Sequence, residues 1–256
     1  MGQHEGGGVR LLRLIAVAAM TLMVDSSPAP AQQAGTGATE ELDAGRFEIL
    51  VDGRPVGTEV FAIRRVGTKV RSVGRLQVEN GEEAWWPFEV RLQTNTDLEP
   101  EIYELKFMAG PIQTVVGRRT ENGLLIHTAT DEGERYKEFG TEAGTIILEH
   151  GTAHHFVLMF RRLKVDAAGA LSGTVAVIVP SRNAATTARV GRIDESTRTI
   201  AGRDVRVTRY DVQLDSQQLD SQRAEVWVGP EGRVLRVSIP DTGWEATRTE
   251  GESDGG

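Results

Sequence analysis

The chain contains no cysteine. That absence removes disulfides, thiolate zinc sites, iron–sulfur clusters, a cysteine nucleophile and an N-terminal lipid-modified cysteine. Aromatic residues are sparse, at 5% of 256 residues. Lysine occurs four times against 25 arginines, a skew that reads as genome composition rather than an arginine-based function. Positive charge is short as well. The net charge is −8, which argues against a nucleic-acid or anionic-membrane binder needing a basic face. What is present is a 39% apolar chain with aliphatic residues throughout, enough for the core of one large domain or two small ones. Collagen-like, low-complexity and wholly disordered classes are excluded on the same ground.

The N-terminal stretch reads as an export signal. Arg10 and Arg13 precede an eleven-residue apolar run, Leu14–Val24, and Ala29 and Ala31 then occupy the −3 and −1 positions of a peptidase site. A membrane span needs about 20 residues, so this run is too short to be one, and no later segment is long or apolar enough. The organisation expected is a cleaved signal peptide over 1–31, a disordered leader over 32–43, a single β-rich domain over 44–248 and a disordered acidic tail over 249–256. The mature chain is expected to be periplasmic or secreted and to have no integral membrane segment.

Within the body, period-2 alternation dominates. Phe47, Ile49 and Val51 alternate with Arg46, Glu48 and Leu50, ahead of an Asp52-Gly53 turn. Phe61 and Ile63 share a face, as do Trp86, Phe88, Val90 and Leu92, and Tyr103, Leu105 and Phe107. Asn80-Gly81, Asn122-Gly123 and Gly229–Gly232 mark further hairpins, and a parity switch between Val207 and Tyr210 predicts a bulge near Thr208. Thr152–Lys164 breaks the pattern: Ala153, Phe156, Val157, Phe160 and Leu163 fall at helical spacing, with Thr152 as N-cap, although a buried strand fits the same letters. The fold class predicted is mainly β, a curved antiparallel meander sheet (half-barrel or open barrel) with one short helix packed on its concave face.

Three stretches carry a resemblance: Phe47–Gly53 with Val56-Gly-Thr58, the central His154–Leu163, and Val226–Arg236 with its Trp-bearing hairpin. On these the chain resembles uncharacterised families of exported bacterial β proteins, whose general form is similar to the half-barrel of periplasmic lipoprotein carriers. The resemblance implies an antiparallel sheet curved around a helical segment, with a concave side that shelters acyl chains. Its motifs are architectural and none is catalytic.

Catalytic and cofactor signatures are missing. Gly169-Ala-Leu-Ser172-Gly173 is not a nucleophile elbow, and it precedes a strand rather than a helix. Neither a P-loop nor a dinucleotide fingerprint occurs. His150 and His154 are four apart, but Gly151 and Thr152 start the helix after His150, so no metal site and no cofactor are expected. Glu82/Glu83 and Asp131/Glu132 read as solvated turns. The expected binding residues are the apolar face Phe61, Trp86, Phe88, Tyr103, Phe107, Phe156 and Phe160, which either fill the core or line a cavity. The function expected is a non-catalytic binding or carrier module for a lipid or other hydrophobic small molecule. The alternative is a structural or envelope-associated interaction protein with a filled core; a hydrolase ranks third. Neither nucleic acid nor any particular protein partner is indicated.

Overall fold

The computed structural model describes residues 38–78, 86–110, 113–165, 171–200, 202–215 and 223–249. The expected signal peptide, the Asn80-Gly81 turn, Trp85 and the tail beyond Thr249 lie outside the described residues. The first half of the body is a run of strands: β1 (Thr39–Val51), β2 (Arg54–Val66), β3 (Lys69–Val78), β4 (Phe88–Asn95), β5 (Pro100–Phe107), β6 (Gln113–Arg119), β7 (Gly123–Thr130) and β8 (Gly133–Gly140). A two-residue strand, β9 (Ile146–Ile147), leads to the helix α1 (His154–Arg162) and then to β10 (Lys164–Val165). The second half contains β11 (Leu171–Val179), β12 (Ala184–Ile200), β13 (Arg203–Asp215), β14 (Arg223–Val228), β15 (Val234–Ile239) and β16 (Trp244–Thr249).

These strands form one sheet in the order β10–β11–β12–β13–β14–β15–β16–β1–β2–β3–β4–β5–β6–β7–β8, with β9 beside β11. All neighbours along that path are antiparallel. The C-terminal strand closes on the N-terminal one, from Arg46↔Thr249 to Val51↔Trp244, so the two halves of the meander join at the middle of the sheet. The sheet is not closed. Among the described residues no ladder links the edges β8 and β10, and the opening is crossed by side chains such as Lys137, whose Nζ donates to the Asn183 carbonyl at 2.9 Å.

Turn chemistry sets the register. Asp52 and Gly53 take φ of +50° and +73°, the paired left-handed conformation that a two-residue hairpin requires. Proline-led 3₁₀ turns, Pro180–Arg182, Pro230–Gly232 and Pro240–Thr242, reverse the chain at β11–β12, β14–β15 and β15–β16. Inward positions of every long strand then supply the core, among them Phe47 and Ile49, Phe61 and Ile63, Val90 and Leu92, Tyr103 and Leu105, Val212, Val226 and Trp244. The helix enters this concave space from the connection between the two sheet edges. Its residues His154 to Phe160 are all buried.

Several expectations need correction. β1 begins at Thr39 rather than near residue 44, because Thr39–Glu41 pair with Arg64–Val66 and the charges match across the rung, Arg65 meeting Glu40 at 2.7 Å. β9 runs parallel to β11, so the pairing is not purely antiparallel. The bulge sits on the partner strand, between Arg192 and Asp194, where β12 meets Tyr210 and Arg209. The parity switch in β13 is a change of face: Tyr210 and Val212 enter the main core, whereas Val207 packs with Ile200 and Trp227 in a separate cluster. Thr152 does not cap the helix; the N-cap position is Ala153, without a side-chain cap from its own segment. Both His154 and His155 are fully buried: His154 lies on Phe61 of β2, and His155 lies against Tyr103 of β5 and the Glu149 backbone.

Candidate functional site

The helix start is held by an acid from a distant strand. Glu59 of β2 points inward and is completely buried. Its carboxylate accepts from the Ala153 backbone N–H at 2.7 Å and from that of His154 at 3.5 Å, and it also receives the His154 Nδ1–H. Free N–H groups and the positive end of the helix dipole make this the favourable place for a buried anion. The His154 ring stacks on Phe61, which stacks on Phe47, with centroids 5.7 and 5.4 Å apart. Gly74 on β3 makes room for it, since a Cβ there would lie 2.3 Å from the imidazole.

His155 meets His154 edge-on, with ring centroids 4.6 Å apart. Its Nδ1 accepts the Glu149 backbone N–H at 2.9 Å, which fixes the neutral Nε2–H tautomer. Burial, with a smaller effect from His154, holds the His155 imidazole well below its ordinary range.

Glu149 forms the next junction. Its side chain accepts from Tyr103 Oη at 2.6 Å, from His150 N at 2.9 Å, from Ser181 N at 3.2 Å and from the Ser181 hydroxyl. Burial pushes its carboxyl up against the effect of those four donors, and the Tyr103 phenol is raised well above its usual range by burial and then by the Glu149 charge. The hydrogen bonds tie the Pro180–Arg182 turn to the segment leading into the helix. His150, also lowered by burial and by the nearby Arg182 charge, lies beside this junction.

Space opens here. A cleft of about 340 Å³ is lined by Trp86, Phe88, Leu105, Phe107 and Gln113 on one side and by Glu149, His150, Ser181 and Arg182 on the other. Past Glu149, His150 and Arg182, a narrow apolar pocket of about 30 Å³ runs between Phe156 of the helix and Leu148, Val179, Val212, Leu214, Ala224 and Ile239. A third space, a polar recess of about 180 Å³, adjoins Arg182 and includes Gln113, Thr128, Thr130, Glu132 and Arg135. Trp86 is the most exposed apolar wall at 37%, and it lies flat against Gly110, whose φ of +80° and missing side chain permit that contact.

The structure divides the seven expected binding residues. Trp86, Phe88 and Phe107 line the cleft and Phe156 lines the narrow pocket. Phe61 and Tyr103 are instead covered by the two helix histidines, and Phe160 packs edge-on against Tyr210 at 5.2 Å. Trp86 also sits ahead of β4 rather than within it, so it does not share the buried face of Phe88. Sequence reasoning missed Glu59, Glu149, Ser181 and Arg182. Glu59 carried a readable signal, since it shares odd parity with Phe61 and Ile63. Ser181 and Arg182 carried none, because their place depends on a turn folded against a residue 32 positions away. No group of three or more His, Asp or Glu side chains placed to hold a metal occurs among the described residues.

No protein-family model matches the chain, and no curated protein matches it. Among solved structures, the chain is similar to the crystal structure of a beta-barrel-like protein of Domain of Unknown Function DUF1849 from Brucella abortus. The likeness has 9% sequence identity and a TM-score of 0.49, and it covers 80% of this chain and 94% of that chain.

Proposed function

We propose that the protein is an exported, non-catalytic binding module that takes an apolar small molecule, of lipid type, in the cleft beside the helix. The observation that carries this reading is the cleft itself. About 340 Å³ of space is walled on one side by Trp86, Phe88, Leu105 and Phe107, and it continues into an apolar pocket under Phe156. That volume is at the lower end of the range for small-molecule sites, and apolar walls with a few polar groups are their usual lining. The buried acids and histidines support binding over hydrolysis, since Glu59 and Glu149 spend their oxygens on the helix start and on a turn. Export rests on Arg10 and Arg13, the short apolar run Leu14–Val24 and the peptidase site at Ala29 and Ala31.

Native mass spectrometry of the protein, purified without detergent from the cell that makes it, tests the reading. A retained small molecule that organic extraction removes is the expected result. A bare polypeptide mass that neither lipid extracts nor alkyl probes change would favour the alternative, an interaction protein with a filled core.

A further inference from the structure

The cleft is apolar on one wall and carries fixed charge at one end, and the sign of that charge selects the ligand. Arg182 lines all three spaces: the cleft, the narrow pocket and the polar recess. Its backbone is anchored, because Glu149 holds the adjacent Ser181 through both the amide and the hydroxyl, and Asn183 closes the turn at φ +51°. Its side chain is exposed and has no hydrogen bond or ion pair among the described residues. The acid nearest in the wall, Glu149, already accepts four hydrogen bonds and faces Tyr103 and Ser181. His150, the other titratable group of the cleft wall, is pushed toward its neutral form by burial and then by the Arg182 charge. A second cation, Arg135, stands in the recess with Thr128, Thr130 and Gln113, and the acid there, Glu132, belongs to the exposed turn before β8.

We propose that the cleft binds a long-chain carboxylate. Its head group pairs with the Arg182 guanidinium at the mouth of the recess, and its single alkyl chain lies along Phe88, Phe107 and Trp86. A guanidinium presents parallel N–H donors that match a planar carboxylate in a bidentate pair, and a preformed cation without an acidic partner has no existing ion pair to break. One chain fits the space. The cleft is too small for a bulky multi-chain lipid to enter whole, and the pocket beyond it, at about 30 Å³, admits no more than a chain end. Threonine hydroxyls and the Gln113 amide in the recess add hydrogen-bonding capacity around the head group.

The inference rests on the reading of the cleft as an apolar-ligand site, and the test separates the two. Isothermal titration of the full mature chain uses dodecanoate, dodecanol, dodecylamine and dodecyl phosphate, all below their aggregation limits. A hydrogen-bonded charge pair contributes enough that dodecanoate should bind at least about tenfold more tightly than dodecanol. Arg182→Gln should abolish that advantage by weakening dodecanoate far more than dodecanol, and added salt should shrink it in the wild type. Equal binding of dodecanoate and dodecanol, an undiminished advantage in Arg182→Gln, or preference for the amine or the phosphate would overturn the carboxylate assignment while leaving the cleft reading intact. Failure of both dodecanol and dodecanoate to bind would overturn the cleft reading itself. Arg182 is exposed, so the variant should keep the wild-type thermal midpoint, which confirms that a lost preference is not lost folding.

Discussion

At the residue scale, the interior is organised by charged groups placed where an apolar side chain is expected. Glu59 occupies an inward position of β2 and serves as the missing cap of a helix almost a hundred residues away. Arg248 occupies an inward position of β16, where it pairs with Asp43 at 2.6 Å, donates to the Ala44 carbonyl and lies over the Phe61 ring. Removing one member of a buried pair strands the other, so Glu59→Ala and Arg248→Ala should each cost about 3–5 kcal/mol in denaturant melts. Arg248→Met together with Asp43→Leu should cost much less, because neither charge is then left buried. The same residues show how far sequence can be read. Glu59 shares the parity of Phe61 and Ile63, and Arg248 that of Trp244 and Ala246, but nothing local states which distant N–H or carboxylate awaits them.

His155 makes stability depend on pH. Its folded-state pKa is depressed well below the ordinary 6.5, so the unfolded chain takes up a proton that the folded chain refuses. Stability should therefore be full above about pH 6.5 and fall as pH drops below it, by up to about 1.4 kcal/mol per pH unit for one such group. His150 acts with the same sign. Glu149 acts oppositely, since its raised pKa gives stability that is present below its ordinary 4.5 and lost as pH rises through the raised value. Urea midpoints at pH 7.5 and 5.5 should show the loss, and His155→Gln, which keeps an acceptor for the Glu149 amide, should reduce it. An unchanged slope in that variant would show that His155 is not the proton-excluding group.

At the element scale, the helix is legible and its environment is not. Phe156, Val157 and Phe160 at helical spacing identify a short apolar helix, but a one-sided stripe also implies a free polar face. The structure has none over His154–Phe160. His155→Ala should accordingly cost about 2 kcal/mol or more, through a cavity and the unpaired Glu149 amide, where a solvated position would cost almost nothing. Phe160→Ala should cost about 3–5 kcal/mol. Gly74→Ala tests the seat of the helix start from the opposite side. A methyl group there overlaps the buried His154 ring, so a loss of about 1–3 kcal/mol is expected, with no comparable effect at the exposed Gly191, where a Cβ meets nothing. The strand β8 was illegible for a different reason. It is an edge strand whose residues are exposed except for Lys137 and Phe139, so Gly-Glu-Arg-Tyr-Lys-Glu-Phe-Gly carries no alternation to read. β9, although only two residues long, falls within Thr145–Leu148, which its apolar run marks as a β segment.

At the scale of the whole molecule, an open sheet wrapped around a helix produces both a filled half and an accessible half. Under the helix start, Phe61, Tyr103 and the two histidines exclude any ligand. Beyond Glu149, where the chain approaches the helix and the Pro180–Arg182 turn folds in, the apolar wall of β4 and β5 remains uncovered. The aromatic strip from Phe61 to Phe107 was visible in the sequence as one face. Its division into packed and open parts was not, because the divider is Glu149, hydrogen-bonded to residues 46 positions before it and 32 after it.

The most direct test of this account places bulk in the cleft without touching the core. Gln113 is half-buried at the junction of the cleft and the polar recess, and Val73 lies on the outer face of β3 at 42% exposure. Gln113→Trp should weaken dodecanoate binding by at least about tenfold, as expected when a binding volume of this size loses its mouth, whereas Val73→Trp should leave it unchanged. Equal affinity in the two variants and the wild type, with thermal midpoints preserved, would contradict the assignment of the cleft as the site where this protein binds its ligand.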